Sequence, residues 1–118
     1  MRVITGSARG RRLKELEGLE TRPTTGKVKE ALFSVIQFDI EGRRVLDLFA
    51  GTGQLGIEAL SRGAECAVFV ERRRDALQVI RENLEACGMT DKARVVNGDA
   101  MSYLKSGEKF DLIFLDPP

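Results

Sequence analysis

A chain of 118 residues can build one core but is short for a complete doubly wound sheet with helices on both faces. Aromatic content is low at 6% and charged content high at 31%, yet 42% hydrophobic residues is ordinary for a folded domain and argues against disorder. The net charge of +1 hides an asymmetry: residues 1–30 hold eight bases (Arg2, Arg9, Arg11, Arg12, Lys14, Arg22, Lys27, Lys29) against four acids (Glu15, Glu17, Glu20, Glu30), and the remaining residues are mildly acidic. A basic arm on an acidic body suggests a polyanionic partner reached through the arm. Cys66 and Cys87 lack C-x-x-C spacing and the chain has no histidine, so zinc binding and Cys/His catalysis lack parts; both cysteines are expected as reduced core thiols, and no metal is expected. No signal peptide or membrane-length apolar run is seen, and a cytoplasmic soluble protein is the expectation.

In chain order, Arg2-Val3-Ile4-Thr5-Gly6 and Gly10-Arg11-Arg12-Leu13-Lys14-Glu15-Leu16 read as two short strands of a hairpin heavy with arginine. Its charges either hold a polyanion or merely keep a solvated edge from aggregating. Arg22-Pro23-Thr24-Thr25-Gly26 reads as a proline-fixed loop whose threonines can cap a helix. From Lys27 to about Phe38, Val28, Ala31, Leu32, Val35 and Ile36 fall on one face of an amphipathic helix. Lys27 and Lys29 lie at its start, where the helix dipole disfavours cations, so another anion is expected to favour them there.

Arg44 to Phe49 is the central strand. A helix through Leu55, Ile57, Ala59 and Leu60 follows and stops near Arg62-Gly63. Ala67–Glu71 is a second strand, and Arg74–Cys87 a helix with Ala76, Leu77, Ile80 and Leu84 on one face. Ala93–Asn97 is a third strand, Tyr103-Leu104 marks a short helix, and Asp111–Leu115 is a fourth strand apolar enough to be covered on both faces. This alternation predicts an α/β fold with a parallel sheet and right-handed crossovers.

The chemistry concentrates where the central strand breaks into Asp47-Leu48-Phe49-Ala50-Gly51-Thr52-Gly53-Gln54-Leu55-Gly56. Gly51 and Gly53 permit a sharp turn and close approach of a ligand, and Gly56 lets the following helix pack near the sheet, meeting the G-x-G-x-x-G pattern. Glu71 ends the next strand, where a carboxylate can take both hydroxyls of a ribose. Asp47 is costly to bury unless something cationic or hydrogen-bonding meets it. A pyrophosphate at this turn would want amides and the helix dipole, whereas a ligand with an ammonium group and a positive sulfur would want an acid. The fourth strand runs into Asp116-Pro117-Pro118. A carboxylate beside a carbonyl stiffened by prolines makes an acceptor pair for a flat amine, although Asp-Pro also opens ordinary turns. Asp99 either caps the short helix or accepts from an adenine amine.

In combination, Asp47-Leu48-Phe49-Ala50-Gly51-Thr52-Gly53, Glu71, Asp99 and Asp116-Pro117-Pro118 resemble the motif order of class I S-adenosylmethionine-dependent methyltransferases acting on base amines. Arg2-Val3-Ile4-Thr5-Gly6, Gly10-Arg11-Arg12-Leu13 and Arg22-Pro23-Thr24-Thr25 through Val28-Lys29-Glu30-Ala31-Leu32-Phe33 resemble the N-terminal extension of the RsmD-type family, which methylates N2 of a guanine in bacterial 16S, small-subunit ribosomal RNA. The resemblance implies a Rossmann-like fold. Asp47, Gly51 and Gly53 would hold the methionine end of the cofactor, Glu71 its ribose, and Asp99 and Ala100 its adenine, with Phe49, Thr52 and Arg72 completing the set. Asp116 and the Pro117 carbonyl, backed by Pro118, would grip the target amine, and Arg22 and Thr24 would close over the site. Arg2, Arg9, Arg11, Arg12, Lys14, Arg22 and Lys27 would face RNA, of the mature small subunit or an assembly intermediate. Residues 1–38 would then be the RNA-facing extension and 39–118 the cofactor-binding half. The family pattern continues with an aromatic residue and further strands after the second proline, so the chain is expected to be a fragment. The competing readings are an NAD-dependent oxidoreductase on the same glycine turn and a noncatalytic RNA-binding fragment.

Overall fold

In a computed structural model, residues 1–16 and 26–117 are described. Arg22, Thr24 and Pro118 lie outside the described residues. Four parallel strands, β1 (Arg44–Leu48), β2 (Cys66–Glu71), β3 (Ala93–Asn97) and β4 (Leu112–Leu115), form one sheet in the order β3-β2-β1-β4. The crossovers carry α2 (Gln54–Ser61) after β1, α3 (Arg74–Ala86) after β2 and the short α4 (Ala100–Leu104) after β3, while α1 (Gly26–Ile36) precedes the sheet. A 3-10 turn at Thr90–Lys92, unforeseen in the sequence, leads into β3.

Strand alternation sorts the core into two faces. Val45, Ala67, Phe69 and Phe114 point to one side, where they pack with Phe33 of α1, Leu55, Ile57 and Leu60 of α2, Ile80 and Leu84 of α3, and Val3, Ala8 and Leu13 of the N-terminal segment. Leu46, Leu48, Val68 and Val70 point to the other side, against Ala100, Tyr103 and Phe110. Phe69 is fully buried beneath α2, and a Cβ added at Gly56 would come within 2.3 Å of its ring. Gly56 therefore sets how closely α2 approaches the sheet, as the glycine pattern predicts.

The N-terminal hairpin has a single antiparallel bridge, Arg2 to Arg12, flanked by Val3 N–H to Arg11 O (2.9 Å), Gly10 N–H to Val3 O (2.9 Å) and Leu13 N–H to Met1 O (2.9 Å). It lies along α2. Its tip is seated at Ser61, which accepts from the Ser7 and Ala8 amides and donates to Thr5 O at 2.6 Å; a Cβ at Gly6 would fall 1.9 Å from Ser61 O.

The inward face of α1 is shifted from the one its apolar spacing predicts: Leu32 and Ile36 of that stripe are half-buried against the core, but the rest of the stripe is not. Val28 and Val35 are exposed (56% and 80%), and the buried positions are Lys29 and Phe33. Phe33 stacks at a tilt on Phe114 (5.5 Å) under the Arg62 guanidinium (4.7 Å), and Lys29 reaches a buried acid on α2. The anion expected near the start of this helix is thus Glu58, within the protein itself.

Glu58 is fully buried, and its two oxygens collect Ile4 N–H (2.8 Å), Thr5 N–H (3.0 Å), Arg62 Nε (2.9 Å) and Lys29 Nζ (3.1 Å). Burial pushes its pKa up, but the Ile4 amide, Arg62 and Lys29 outweigh that and hold it below the ordinary carboxylate range. Burial lowers the Lys29 ammonium in spite of Glu58. Lys29 Nζ also donates to Arg2 O at 3.0 Å, which ties α1 to the hairpin. No helix among the described residues is long and apolar enough to cross a membrane.

Candidate active site at the strand ends

Parallel strands bring their carboxyl ends to one edge of the sheet, and the chain places its chemically distinctive residues there. Leu48 pairs with Val70 and with Leu115, so Phe49, Glu71 and Asp116 emerge side by side from β1, β2 and β4. Glu71 pairs with Asn97, which puts Gly98 and Asp99 beside it at the end of β3.

The glycine turn after β1 is strongly shaped. Phe49, a non-glycine, has φ 57°, followed by Gly51 at 59° and Gly53 at 83°. A bulky residue in the left-handed region is costly and persists only where its surroundings enforce it, a pattern concentrated at ligand-binding turns. Two carboxylates provide the enforcement. Glu71 Oε1 accepts from Gly51 N–H (3.0 Å) while Oε2 accepts from the Arg72 and Arg73 amides (both 2.9 Å), so one side chain brackets the turn and the start of α3. A carboxylate offers about four acceptor positions, which leaves roughly one for a ligand hydroxyl. Asp47 is buried, and its Oδ2 accepts from Gly56 N–H at 3.0 Å, anchoring the first turn of α2. Burial first, then the charges of Asp116 and Glu71, raise its pKa to about 8 against the lowering effect of the Gly56 amide.

The other predicted cofactor positions lie on this turn or at the neighbouring strand ends, whereas the predicted RNA-facing residues lie along the hairpin and at the start of α1. Thr52 and Gly53 are buried, and Gly51 and Phe49 are half-buried. Asp99 caps α4, with Oδ2 accepting from Ser102 N–H at 3.1 Å, and its Oδ1 stands 3.8 Å from Arg72 Nη1. The capping alternative is therefore realised at Asp99, and Ala100 is buried in the α4 face of the core. Asp116 and Pro117 are exposed just past the end of β4. Arg2, Arg9, Arg11, Arg12 and Lys14 are exposed along the hairpin and Lys27 at the start of α1. Two of these have partners within the chain: Arg2 Nη1 donates to Gly10 O (3.2 Å), and Lys14 Nζ pairs with Glu82 (2.9 Å).

Sequence reasoning passes over two residues that hold this arrangement together. One is Glu58, whose partners lie far away in the chain. The other is Asn83 of α3, buried between the hairpin and the glycine turn and bonded to the backbone of both Lys14 and Thr52. A polar residue on the apolar stripe formed by Ala76, Leu77, Ile80 and Leu84 is the signal that could have found it. Thr52 Oγ1 also lies 3.7 Å from Met1 Sδ, so the open end of the basic hairpin abuts the turn.

The family model described as "Conserved hypothetical protein 95" matches residues 1–118. The chain belongs to this family. Among curated relatives, "Putative rRNA methyltransferase YlbH" of Bacillus subtilis (strain 168) is 51% identical over 122 residues, spanning 100% of this chain and 66% of the relative. "Ribosomal RNA small subunit methyltransferase D" of Escherichia coli (strain K12) is 43% identical over 119 residues, spanning 100% of this chain and 60% of the relative. The solved structure described as "Putative methyltransferase yhhF from Escherichia coli" superposes with a TM-score of 0.89 at 44% identity, covering 100% of this chain and 64% of that one. The chain thus spans about three fifths to two thirds of the length of these family members. The RsmD-type resemblance and the methyltransferase fold read from the sequence are both borne out.

Proposed function

We propose that the chain binds S-adenosylmethionine over the glycine turn and directs its methyl group to the N2 amine of a guanine in small-subunit ribosomal RNA. The observation that carries this reading is the meeting of Asp47, Glu71 and Asp116 at neighbouring strand ends, where each of the other two acids makes Asp47 harder to ionise. Such a site gains from a ligand that brings positive charge, and it disfavours a dinucleotide pyrophosphate. The similarity to an enzyme named for small-subunit ribosomal RNA supports the choice of substrate.

When bound, the cofactor supplies an electrophilic methyl group on a sulfonium centre. Glu71 holds the turn through the Gly51 amide and Asp47 anchors the start of α2 behind it; a cationic ligand is favoured by the Glu71 carboxylate and by Asp47 once its proton is released. Asp116 and the Pro117 carbonyl accept the two N–H bonds of the target amine and aim its lone pair. Asp116 then stands ready to take the proton the amine releases after transfer. Most of the rate gain comes from holding the amine in line with the methyl carbon. An exocyclic amine in folded RNA is reached by unstacking its nucleotide. The exposed arginines of the hairpin hold phosphates without reading sequence.

The test is calorimetric titration of the 118-residue chain with S-adenosylhomocysteine and, separately, with NADH. Binding of the first and not the second is expected, and preference for NADH overturns the reading. Tritium transfer from S-adenosylmethionine to small-subunit particles is expected to fall by roughly 100-fold or more in Asp116→Ala, with RNA affinity nearly unchanged. Unaltered transfer would remove Asp116 from the mechanism.

A further inference from the structure

Asn83 is 2% exposed and stands on the buried stripe of α3 beside Ile80 and Leu84. Its Nδ2 donates to Thr52 O in the glycine turn (2.9 Å) and to Lys14 O at the end of the hairpin (3.1 Å), and its Oδ1 accepts from Lys14 N–H (2.7 Å). A carboxamide is the side chain suited to this task, because it offers two donors and an acceptor without charge. Aspartate lacks the donors, and leucine would fill the stripe but serve neither segment.

The geometry is more specific than core stability requires. Residues on both sides of the carboxamide belong to separate proposed binding surfaces: Thr52 lies between the two left-handed glycines, and Lys14 ends the basic hairpin. A second contact runs in parallel. Met1, whose carbonyl accepts from Leu13 N–H (2.9 Å), places its Sδ 3.7 Å from Thr52 Oγ1. The open end of the hairpin is thereby fastened to the turn twice, and Asn83 is the fastening that uses three hydrogen bonds.

We propose that Asn83 is a positioning residue that couples the two surfaces, so that polyanion binding along the hairpin and S-adenosyl ligand binding at the glycine turn strengthen each other. The inference rests on the function proposed above. A ligand on the turn fixes the Thr52 carbonyl, which fixes the carboxamide, which in turn holds the Lys14 backbone and the register of the hairpin. Part of the ordering that either ligand requires is then already done when the other arrives. Linkage makes the effect reciprocal and equal in both directions.

The test titrates the full 118-residue chain with S-adenosylhomocysteine in the absence and presence of polyuridylate, which offers the hairpin phosphates without a target base. Wild type is expected to bind S-adenosylhomocysteine about fivefold more tightly with polyuridylate present, and to bind polyuridylate more tightly by the same factor with S-adenosylhomocysteine present. In Asn83→Ala both ligands still bind and the factor falls to about one. Amide hydrogen exchange at Lys14 gives a readout that simple destabilisation does not imitate: S-adenosylhomocysteine slows it in wild type and has no effect on it in Asn83→Ala. Asn83→Asp keeps the acceptor for Lys14 N–H and loses both donors, so protection at Lys14 remains but no longer responds to ligand. That variant decides the matter if Asn83→Ala does not fold. Absence of coupling in wild type, or its persistence in either variant, overturns the inference while leaving the proposed function standing. Failure of wild type to bind S-adenosylhomocysteine at all overturns that function, and the coupling with it.

Discussion

At the residue scale, Glu58 and Lys29 form a buried pair, but the two ends of the pair are not equivalent. Removing Glu58 takes the paired carboxylate from the buried Lys29 ammonium, which keeps its bond to Arg2 O, and leaves the Ile4 and Thr5 amides without their acceptor. Removing Lys29 leaves Glu58 with Arg62 and both amides. Breaking a buried pair typically costs about 3–5 kcal/mol, and Glu58→Ala is expected in that range by urea unfolding. Lys29→Met, which introduces no orphaned donor, is expected to cost clearly less. Equal losses would show that the charge pair, not the amide clamp, dominates.

Asp47 yields a pH prediction of definite sign. Its carboxyl titrates near 3.8 when unfolded and at about 8 when folded, so the folded state holds the proton more tightly. Its contribution to stability is full below pH 3.8 and is lost as pH rises through about 8. Thermal melts across that window should fall less steeply in Asp47→Asn than in wild type. Binding of a cationic ligand would draw the proton off, so calorimetry in buffers of different ionisation enthalpy should detect proton release at neutral pH in wild type and none in Asp47→Asn.

At the scale of elements, α2 is held close to the sheet by the absence of a side chain at Gly56. With Phe69 Cε2 2.3 Å from the position of a new Cβ, Gly56→Ala forces helix and strand apart. A cost of roughly 1–3 kcal/mol is expected, read as a lowered melting temperature. This close packing was legible in the sequence, as were all four strands, because apolar runs bounded by glycines and charges leave little choice of period. The inward face of α1 was legible only in part, at Leu32 and Ile36. Val28, Ala31, Leu32, Val35 and Ile36 spell a helical stripe, but Lys29 and Phe33 occupy the interior because Glu58 and Phe114 await them there. No local pattern reveals a partner so distant in the chain. The positions of the site residues were legible for a related reason: parallel topology carries every strand end to one edge. Their bonding was legible only at Asp99, whose capping of the short helix was one of its two readings. Glu71 serves three backbone amides, a task invisible to residue-type reasoning.

At the scale of the whole molecule, the sheet is unevenly covered. On the α4 side, Ile113 and Leu115 of the edge strand β4 remain 48% and 65% exposed, near a strand edge that can accept another strand. The 118-residue chain is expected to self-associate through this edge at high concentration. Ile113→Lys should shift sedimentation toward monomer, since a charge at an edge discourages strand addition. A sedimentation profile unaffected by that substitution would place the association elsewhere.

The clamp at Glu58 also bears on the order of assembly. The amides of Ile4 and Thr5 are made first, yet their acceptor is synthesised 54 and 53 residues later. Closing so long a loop is deferred until α2 has docked on the sheet, which makes the hairpin a late arrival on the folding route. Lesions there, such as Gly6→Ala against Ser61, should accelerate unfolding and leave the refolding rate almost untouched. The arginine-bearing hairpin is consequently the last segment to find its seat and the first to leave it.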